Sequence, residues 1–540
     1  MQISQLVGNQ IKLMSTICAI STPGGVGGLA VVRISGNEAI EITDKIWRGK
    51  ALKSCAGHTA HLGWVTDSNG ERLDQGVATI FRGPHSFTGE DVVELSVHGS
   101  VYVQHELLNA LIAHGCRMAE PGEFTRRAFA SGRIDLAEAE AVADMIACTS
   151  RASHRLALSQ LKGDFSRRIA GLRESLLELA SLIELELDFS DQEVEFASRK
   201  RLMEIAVEVR NVVSGLASTF RKGRAFREGI PTAIVGATNV GKSTLLNRLL
   251  HDNRAIVSDI HGTTRDTIED TAEIGGVTFR FIDTAGLRDT TDTIEAMGIE
   301  RALDRACHAS IIVLMADMSR PQTLGEAWQR VASAFCGNDK ESPSADIHGS
   351  GYINGDMSAS LPERDYADSA SHHDMNAASL SPTLLLLWNK ADIVRPDNES
   401  NQSDGNTGVC GENGGENMET CSVERDIEAF CRRHGMQLYR AEYSAKNGQG
   451  GDIESLLLKC AGTDMLTSTD VIVTNVRHHQ SLTDAHEAIC RVIDGLTSNI
   501  PPEFIAQDLR QTLNHLGEIT GTISTPQILS SIFSRFCVGK

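Results

Sequence analysis

GATNVGKST at Gly236–Thr244 and NKAD at Asn389–Asp392 are the two most informative stretches of this sequence. The first follows an apolar run, PTAIVGA, and precedes STLLNRLL, whose spacing predicts a helix. Two glycines separated by four residues, with Lys-Ser directly after the second, let backbone N–H groups wrap a chain of phosphates. Lys242 and the helix N-terminus add positive charge there. The stretch therefore predicts a phosphate-binding loop between a strand and a helix.

The NKAD stretch is expected to select the base of a nucleotide whose phosphates lie in this loop. The Asp392 carboxylate can accept two hydrogen bonds, from guanine N1–H and from its 2-amino group. Adenine presents an acceptor at N1 and has no 2-amino group, and leaving the carboxylate unpaired can cost about 10⁴-fold in discrimination. Ser444-Ala445-Lys446 fits the loop that closes over such a base. Together these residues predict a guanine-nucleotide site.

Three further residues predict the magnesium site. Ser243 follows the phosphate-loop lysine and is expected to bind the ion directly. Asp283, in FIDTAG at 281–286, has the position of the acidic residue that holds magnesium through water, and the Gly286 N–H can reach the γ-phosphate. Thr264, in SDIHGTTRD at 258–266, is the threonine expected to complete magnesium coordination and to sense the γ-phosphate.

The residue after DTAG is unusual for an enzyme that hydrolyses its nucleotide. Ras-type enzymes place a glutamine there to orient the attacking water, but this chain has Leu287. Another group must do that work, and Glu295 in the following polar segment is a candidate, the alternative being a solvated loop glutamate. Neither Arg265 nor Arg288 can be identified as an arginine finger from its spacing.

The segments around these motifs predict a multidomain α/β chain. Residues 1–132 are α+β, with short β-rich runs and one helical run, HELLNALIAHG. Residues 133–228 and 464–540 have the 3.6-residue apolar periodicity of amphipathic helices and could form one bundle. Residues 229–463, inserted between them, alternate strands and helices as a doubly wound, mostly parallel sheet does. Within it, TAEIGGVTFRF predicts a hairpin, and polar stretches near 337–381 and 396–425 predict disordered surface insertions.

Composition limits the possible roles. The chain has 540 residues, too many for one core, and a formal net charge of −20. Such a chain repels phosphate backbones, so a nucleic-acid role needs a local basic patch or a basic partner. None of the twelve cysteines forms a CxxC pair, which indicates reduced thiols. No targeting or membrane segment is evident, so a soluble cytoplasmic protein is expected.

Several longer motifs resemble one family. GTTRD, DTAGLR and DTIEAMGIE in the nucleotide domain are similar to the tRNA modification GTPase MnmE family, also called TrmE. Outside that domain the resemblance continues in TPGGVGGLAVVRISG (22–36), SFTGEDVVELSVHG (86–99), PGEFTRRAFASGRIDLAEAEAVADMI (121–146) and the C-terminal CVGK. It covers nearly the whole chain except the two polar stretches, and the terminal motifs are absent from other GTPases of the Era-like group.

The resemblance implies a function. Family members hydrolyse GTP and, with the flavoprotein MnmG (GidA), add an aminomethyl or carboxymethylaminomethyl group at carbon 5 of the wobble uridine (U34) of certain tRNAs. They form homodimers through the N-terminal domain, and a heterotetramer with the flavoprotein. The one-carbon unit comes from a 5-formyl- or methylene-tetrahydrofolate bound by that N-terminal domain. The flavoprotein would carry much of the tRNA contact, which would account for the acidity of this chain.

The resemblance also implies a potassium ion in place of an arginine finger. A monovalent cation beside the β- and γ-phosphates stabilises the charge that develops during hydrolysis. When complete, this effect raises the rate by roughly 10³-fold or more. The matching potassium ligands are Asn239, Ser258, Ile260 and Thr263, and Glu295 matches the family's water-orienting glutamate. Lys242, Thr264 and Glu295 are thus the catalytic candidates. The full set of expected nucleotide contacts is Asn239, Val240, Gly241, Lys242, Ser243, Thr244, Ser258, Asp259, Ile260, His261, Gly262, Thr263, Asp283, Thr284, Ala285, Gly286, Asn389, Lys390, Asp392, Ser444, Ala445 and Lys446.

For the folate site, the resemblance implies Arg33, Glu94, Arg133 and Lys540. The family often has lysine at the position of Arg133. Arginine keeps the positive charge there, but its planar guanidinium replaces the compact ammonium of lysine. Cys537 lies beside the folate in the family pattern and is a candidate for a chemical role, the alternative being a buried small hydrophobe.

Two other functions remain open at this point. An Era-like ribosome-assembly GTPase would need an RNA-binding module such as a KH domain, and no GXXG loop in a basic setting follows the nucleotide domain. A non-catalytic nucleotide switch acting as a scaffold would not need Lys242, Ser243, Thr264 and Asp283 all intact.

Overall fold

The computed structural model describes residues 15–188, 199–252, 270–282, 309–337, 383–394, 416–450, 452–462, 471–498, 500–534, 536 and 538–539. Within them the chain forms two compact units. The first draws on the described residues that fall within 1–148, 153–224 and 471–540, and the second on those within 149–152 and 225–470. No helix in the described part of the chain is both long enough and apolar enough to cross a bilayer.

The first unit begins with a seven-stranded sheet. Its strands are β1 (Ile17–Ile20), β2 (Gly27–Ser35), β3 (Trp47–Arg48), β4 (Thr59–Thr66), β5 (Arg72–Phe81), β6 (Val92–Gly99) and β7 (Arg117–Met118). Their spatial order is β3-β4-β5-β6-β2-β1-β7, antiparallel throughout except for the parallel β1–β7 pair. The β2–β6 register sets Arg33 directly opposite Glu94. Residues directly opposite on one face of a sheet are close enough to interact, so this register brings the two charges together.

Short helices cover this sheet. They are α1 (Ala39–Ile46), a 3₁₀ turn (Leu52–Ser54), α2 (Val101–Ala113) and α3 (Glu123–Ala130). The helix predicted within 105–115 is confirmed, although it begins four residues earlier, at Val101. It stops before Gly115, whose φ of 116° is a conformation that favours glycine.

Five helices follow: α4 (Leu136–Ala147), α5 (Arg151–Leu161), α6 (Asp164–Asp188), α7 (Arg199–Ser218) and α8 (Phe220–Glu228). A reciprocal capping box starts α4. The Asp135 side chain accepts from the Glu138 N–H at 2.8 Å, and the Glu138 side chain accepts from the Asp135 N–H at 2.9 Å. This box satisfies two of the N–H groups that a helix start leaves unpaired.

The second unit contains another seven-stranded sheet, in the order β14-β13-β12-β11-β8-β10-β9. Its strands are β8 (Ile230–Gly236), β9 (Asp270–Ile274), β10 (Val277–Phe281), β11 (Ile311–Asp317), β12 (Thr383–Asn389), β13 (Leu438–Ser444) and β14 (Gln449–Gly450). The five strands β8 and β10–β13 are parallel. Every residue of β11 and β12 is buried, as expected for central strands covered on both faces. The predicted hairpin is confirmed as the antiparallel β9–β10 pair.

The helices of this unit are α9 (Lys242–Asp252), α10 (Gln322–Gly337), α11 (Ala391–Val394), α12 (Glu416–Arg433) and α13 (Ile453–Cys460). The prediction of a disordered polar stretch up to residue 425 is wrong at its end, because α12 begins at Glu416. Ile427 and Cys431 of α12 are buried against the sheet, and this apolar spacing stabilises the helix despite its polar start. Residues 338–382 lie outside the described residues.

Three helices complete the first unit: α14 (Val476–Thr497), α15 (Pro502–Thr520) and α16 (Pro526–Phe533). Residues from before and after the second unit share one core. Leu176 of α6, Val209 of α7, Ile489 of α14 and Leu516 of α15 are at most 1% exposed and belong to the same apolar cluster. The helices that flank the inserted unit in sequence therefore pack together in space.

A buried charged network also joins these helices. The Glu140 carboxylate on α4 accepts from Arg477 at 2.9 and 3.0 Å and lies 2.7 Å from Nε2 of His478. Arg477 also donates to the carbonyl oxygens of Glu518 and Ile519, at the end of α15. Burial alone would raise the pKa of Glu140, but His478 and Arg477 outweigh it and lower that pKa to about 2. The network ties the end of α15 and the start of α14 to α4.

Candidate nucleotide-binding and folate-binding sites

The predicted phosphate loop connects β8 to α9 at the centre of the second sheet. Neighbours β11 and β10 lie on opposite sides of β8, so the loop is at the point where the strand order reverses, where open α/β sheets bind ligands. A Cβ at Gly236 would lie 2.5 Å from the Met315 carbonyl oxygen. A Cβ at Gly241, whose φ is +100°, would lie 2.2 Å from Nδ2 of Asn389. A larger residue at either position would clash with these neighbouring atoms, so both positions require glycine.

Asn239 has a left-handed backbone conformation, with φ of 62°. Only three described non-glycine residues have positive φ, and two of them, Asn239 and Lys390, belong to this site. Residues held in sparsely populated conformations cluster at functional sites, and asparagine tolerates this one better than most. The side chain of Asn239 is exposed at the tip of the loop.

Lys242 folds back over the loop. Its Nζ donates to the carbonyl oxygens of Ala237 at 2.7 Å and of Gly236 at 3.0 Å. Burial, together with the charge of Arg330, lowers the pKa of Lys242. Because an anion would offset the cost of burying this ammonium, the loop has the electrostatics of a phosphate site.

Asn389 holds three loops together. Its Nδ2 donates to the Val240 carbonyl oxygen of the phosphate loop at 2.7 Å, and its Oδ1 accepts from the Ala445 N–H at 2.8 Å. The residue ends β12 and is buried. The predicted phosphate loop, the NKAD stretch and the Ser444–Lys446 loop are therefore joined by one amide.

Lys390 and Asp392 follow at the carboxyl end of β12. Nζ of Lys390 forms an ion pair with Asp317, the last residue of β11, at 2.5 Å. Burial opposes ionisation of Asp317, but hydrogen bonds from Lys390 and Ser319 keep its pKa below the usual value. Asp392 lies in the first turn of α11 and is partly exposed. Asp392, which is expected to read the base, thus follows a backbone that the side-chain contacts of Asn389 and Lys390 hold in place.

The Ser444–Lys446 loop is closed by its own hydrogen bonds. Ser444 and Ala445 are buried, and Lys446 is exposed. The Gly448 N–H donates to the Ser444 carbonyl oxygen at 2.8 Å, and the Asn447 N–H donates to Oγ of Ser444 at 3.3 Å. The turn orients the loop toward Asn389, as the prediction of a base-closing loop requires.

Val240 is buried, and Ser243 and Thr244 occupy the first turn of α9. The remaining predicted nucleotide and metal residues lie outside the described residues: Ser258, Asp259, Ile260, His261, Gly262, Thr263, Thr264, Asp283, Thr284, Ala285, Gly286 and Glu295.

The predicted folate residues belong to the first unit. Arg33 donates from Nε and Nη2 to Oε1 of Glu94, both at 2.9 Å. The Arg33 guanidinium also lies over the rings of Phe87 and Phe124, at 5.4 and 5.7 Å. The pair is partly exposed, with 18% and 26% of the two side chains accessible. A charged pair fixed against two aromatic rings can recognise a flat heterocycle with polar edges.

Arg133 and the described part of the C-terminal tail each border a loop of this unit. A Cβ at Gly89 would lie 3.4 Å from Cγ of Arg133, so this arginine borders the loop that carries Phe87. Oγ of Ser21, just after β1, donates to the Gly539 carbonyl oxygen at 3.1 Å. The described part of the CVGK tail therefore lies beside the loop between β1 and β2. Cys537 and Lys540 lie outside the described residues.

Sequence reasoning missed two features of these sites. Asp317, the partner of Lys390, could have been found from its place at the end of a buried parallel strand. The second feature is a buried network around Arg127, which donates to Glu90 at 3.0 and 3.1 Å, to Glu123 at 3.0 Å and to the Ser15 carbonyl oxygen at 2.7 Å. This network anchors the loop that carries Phe87 to α3. In the sequence, the only sign of it was the carboxylate and the arginines within PGEFTRR.

Comparison with known proteins agrees with these motifs. Residues 16–133 match the family model described as GTP-binding protein TrmE N-terminus, and residues 136–537 match the MnmE helical domain. The tRNA modification GTPase MnmE of Parabacteroides distasonis is 43% identical over 534 residues, covering 98% of this chain and 100% of the relative. The chain belongs to the tRNA modification GTPase MnmE family. The family resemblance predicted from the sequence is thereby confirmed, as is the fold class.

Other MnmE relatives match to the same extent. The proteins with that name from Bacteroides fragilis strain NCTC 9343 and Cytophaga hutchinsonii are 41% and 40% identical, and each match covers 97% of this chain and 98% or more of the relative. Among solved structures, the G domain of the T. maritima FeoB iron transporter covers 44% of this chain and 99% of its own, at 15% identity and a TM-score of 0.21. The MnmE assignment rests on the family models and the full-length relatives.

Proposed function

We propose that this MnmE-family chain hydrolyses GTP and, together with a flavoprotein of the MnmG (GidA) type, adds an aminomethyl or carboxymethylaminomethyl group at C5 of the wobble uridine in certain tRNAs. The observation that carries the proposal is the Asn389 amide, which joins the phosphate loop, the NKAD stretch and the Ser444–Lys446 loop. A chain that bound only phosphate would not need a base-reading carboxylate in a stretch joined to the phosphate loop.

The described residues divide the work at the nucleotide. Backbone N–H groups between Gly236 and Gly241 would face the phosphates, and Lys242 would exchange its two carbonyl partners for phosphate oxygens. Asp392 would accept from the guanine edge, while the Lys390–Asp317 pair fixes the backbone before it. The bonds of Asn389 and the Lys390–Asp317 pair hold the base-reading side of the site in place, and such preorganisation is what electrostatic catalysis requires.

Two cations complete the proposal. Ser243, at the start of α9, together with Thr264 and Asp283, would hold Mg²⁺, and Asn239 with Ser258, Ile260 and Thr263 would hold K⁺. These cations supply positive charge that stabilises the leaving phosphate oxygens. The exposed amide of Asn239, held at the loop tip by its left-handed backbone, fits a hard monovalent cation that prefers oxygen ligands. Glu295 is proposed to orient the attacking water.

Replacing sodium by potassium at constant ionic strength should raise kcat for GTP hydrolysis by about tenfold or more, because K⁺ supplies part of the charge of an arginine finger. An Asn239→Gly variant should lose this difference, since glycine keeps the left-handed backbone but removes the amide oxygen. Steady-state phosphate release in the two salts measures both effects. Asn247→Ala, on the exposed face of α9, is the matched control and should keep the potassium response. Equal, negligible rates in both salts would refute the potassium mechanism and favour a non-catalytic switch.

The first unit is proposed to bind 5-formyl- or methylene-tetrahydrofolate through Arg33, Glu94, Arg133 and Lys540. The support is the fixed Arg33–Glu94 pair beside Phe87 and the approach of the C-terminal tail to the β1–β2 loop. Cys537 is proposed as a neighbour of the folate. The same unit is proposed to hold a homodimer, which would join the flavoprotein in a heterotetramer acting on tRNA in the cytoplasm. The family assignment sets aside the Era-like alternative.

A further inference from the structure

Two segments of this acidic chain are strongly basic. Residues 151–173 contain six arginines or lysines and one carboxylate, and residues 219–227 contain four basic residues and no acidic one. The chain as a whole has 71 acidic and 51 basic residues. Such segregation produces a local positive field inside a protein whose net charge repels polyanions.

Both segments pack against the same short stretch of the first unit, residues 472–479. From the first segment, Nε2 of Gln160 donates to Oγ1 of Thr474 at 2.9 Å, and the Phe165 ring lies 5.2 Å from the ring of His478. From the second segment, Oγ1 of Thr219 accepts from the Val473 N–H at 3.0 Å. The fold therefore brings two basic segments, more than forty-five residues apart in sequence, to one place.

The second contact is especially close. A Cβ at Gly223 would lie 2.1 Å from the Val473 carbonyl oxygen, and the Phe220 ring stacks on His479 at 4.3 Å. The start of α8 is therefore held firmly beside residues 472–479.

The basic side chains at this place are available to a ligand. Lys162, Arg168 and Arg221 are exposed, and none of the three has an ion pair with another described residue. Carboxylates near this place are engaged by other groups: Asp164 pairs with Arg167, Glu138 caps α4, and Glu140 pairs with Arg477 and His478. Burial and the Arg221 charge lower the pKa of His479, as expected in a positive environment. We refer to Lys162, Arg168 and Arg221, whose chain neighbours all pack on residues 472–479, as the basic face.

We propose that the basic face binds the phosphate backbone of the tRNA on which this chain acts. The proposal rests on the proposed function for the identity of the RNA. Exposed basic side chains in the α5–α6 turn, near the start of α6 and at the start of α8 suit contact with several phosphates, and arginine can hold a phosphate bidentately. The contact positions the RNA and reads no sequence, which suits an enzyme that modifies several tRNAs. It gives this acidic chain a direct share in tRNA binding beside its flavoprotein partner.

The test compares two full-length triple variants with the wild type. The test variant is Lys162→Gln, Arg168→Gln and Arg221→Gln. The matched control removes three exposed lysines from other elements, Lys45→Gln, Lys50→Gln and Lys200→Gln, and so changes the net charge equally. Binding of an unmodified tRNA transcript is measured by fluorescence anisotropy across a range of KCl concentrations. Thermal unfolding and GTP hydrolysis without RNA should be unchanged in both variants.

The test variant should bind the transcript about tenfold more weakly at moderate salt, and its slope of log K against log salt should be smaller by about two to three, because each lost phosphate contact removes roughly one released counterion. The control should stay within about threefold of the wild type, since only diffuse charge is removed.

Four results would overturn the proposal: equal losses in both variants, wild-type binding by the test variant, no salt-dependent binding by the wild type, or intact tRNA binding with loss of the flavoprotein. The last would make the face a protein interface. If the test variant binds tRNA normally while the wild-type chain restores wobble-uridine modification in cells that lack it, only this inference fails. Normal wobble-uridine modification in cells that lack the chain would refute the proposed function itself.

Discussion

A Lys242→Ala variant should lose GTP hydrolysis by about 10³-fold in kcat/KM, because one preorganised positive group at the phosphates is worth roughly 10²- to 10³-fold and the same group also contributes to binding. In the structure Lys242 is half-buried, and its ammonium folds over the loop and is bonded only to carbonyl oxygens among the described groups. No other described lysine lies at that point to replace it.

Single-turnover and steady-state phosphate release would measure the loss. Lys459→Ala, an exposed position on α13 in the same unit, is the control and should retain wild-type rates. Lys242→Arg should also be inactive, since a planar guanidinium cannot occupy the place of a compact ammonium between two carbonyl groups. A Lys242→Ala variant that hydrolyses GTP within a few-fold of the wild-type rate would exclude this loop as the catalytic phosphate site.

An Asp392→Asn variant should change the base that is bound. A carboxylate accepts from both guanine N1–H and its 2-amino group, whereas an amide offers one acceptor and one donor. Xanthine presents N1–H and a 2-oxo group, so the amide matches it. Affinity for GTP should fall by about 10²-fold or more, and affinity for xanthosine triphosphate should rise, because a mispaired buried polar edge is costly.

Competition titrations with the two nucleotides would measure the exchange. Asp426→Asn, on the exposed face of α12, makes the same chemical change elsewhere in the unit and should leave both affinities unaltered. Unchanged preference for GTP in the Asp392 variant would mean that the NKAD stretch does not read the base.

The central sheet could be predicted from sequence because its strands are unambiguous. SIIVLMAD and TLLLLWNKAD contain the short, near-continuous apolar runs that parallel strands covered on both faces have, and they correspond to β11 and β12. The hairpin was equally clear, since a Gly-Gly pair stands between two alternating runs, and in the structure both Gly275 and Gly276 have the positive φ that such a turn needs. The phosphate loop follows from the same logic, because its glycines are sterically required.

Features that depend on the meeting of distant residues could not be predicted. Asn389 was expected to contact the nucleotide, but its bonds to Val240 and Ala445 join residues 149 and 56 positions away. The network around Arg127 likewise depends on Glu90 and Ser15, which no local pattern relates to it. The start of α12 was missed for another reason. Its polar N-terminal turn continues the composition of the preceding stretch, and only the later apolar spacing marks the helix.

We propose above that this chain acts in modification of the tRNA wobble uridine. The most direct test is mass spectrometry of nucleosides from the tRNA of cells that lack the chain. We expect loss of the aminomethyl-type and carboxymethylaminomethyl-type groups at C5 of U34, restored by the wild-type gene and not by one encoding Lys242→Ala. Wobble uridines that remain fully modified without the chain would contradict it.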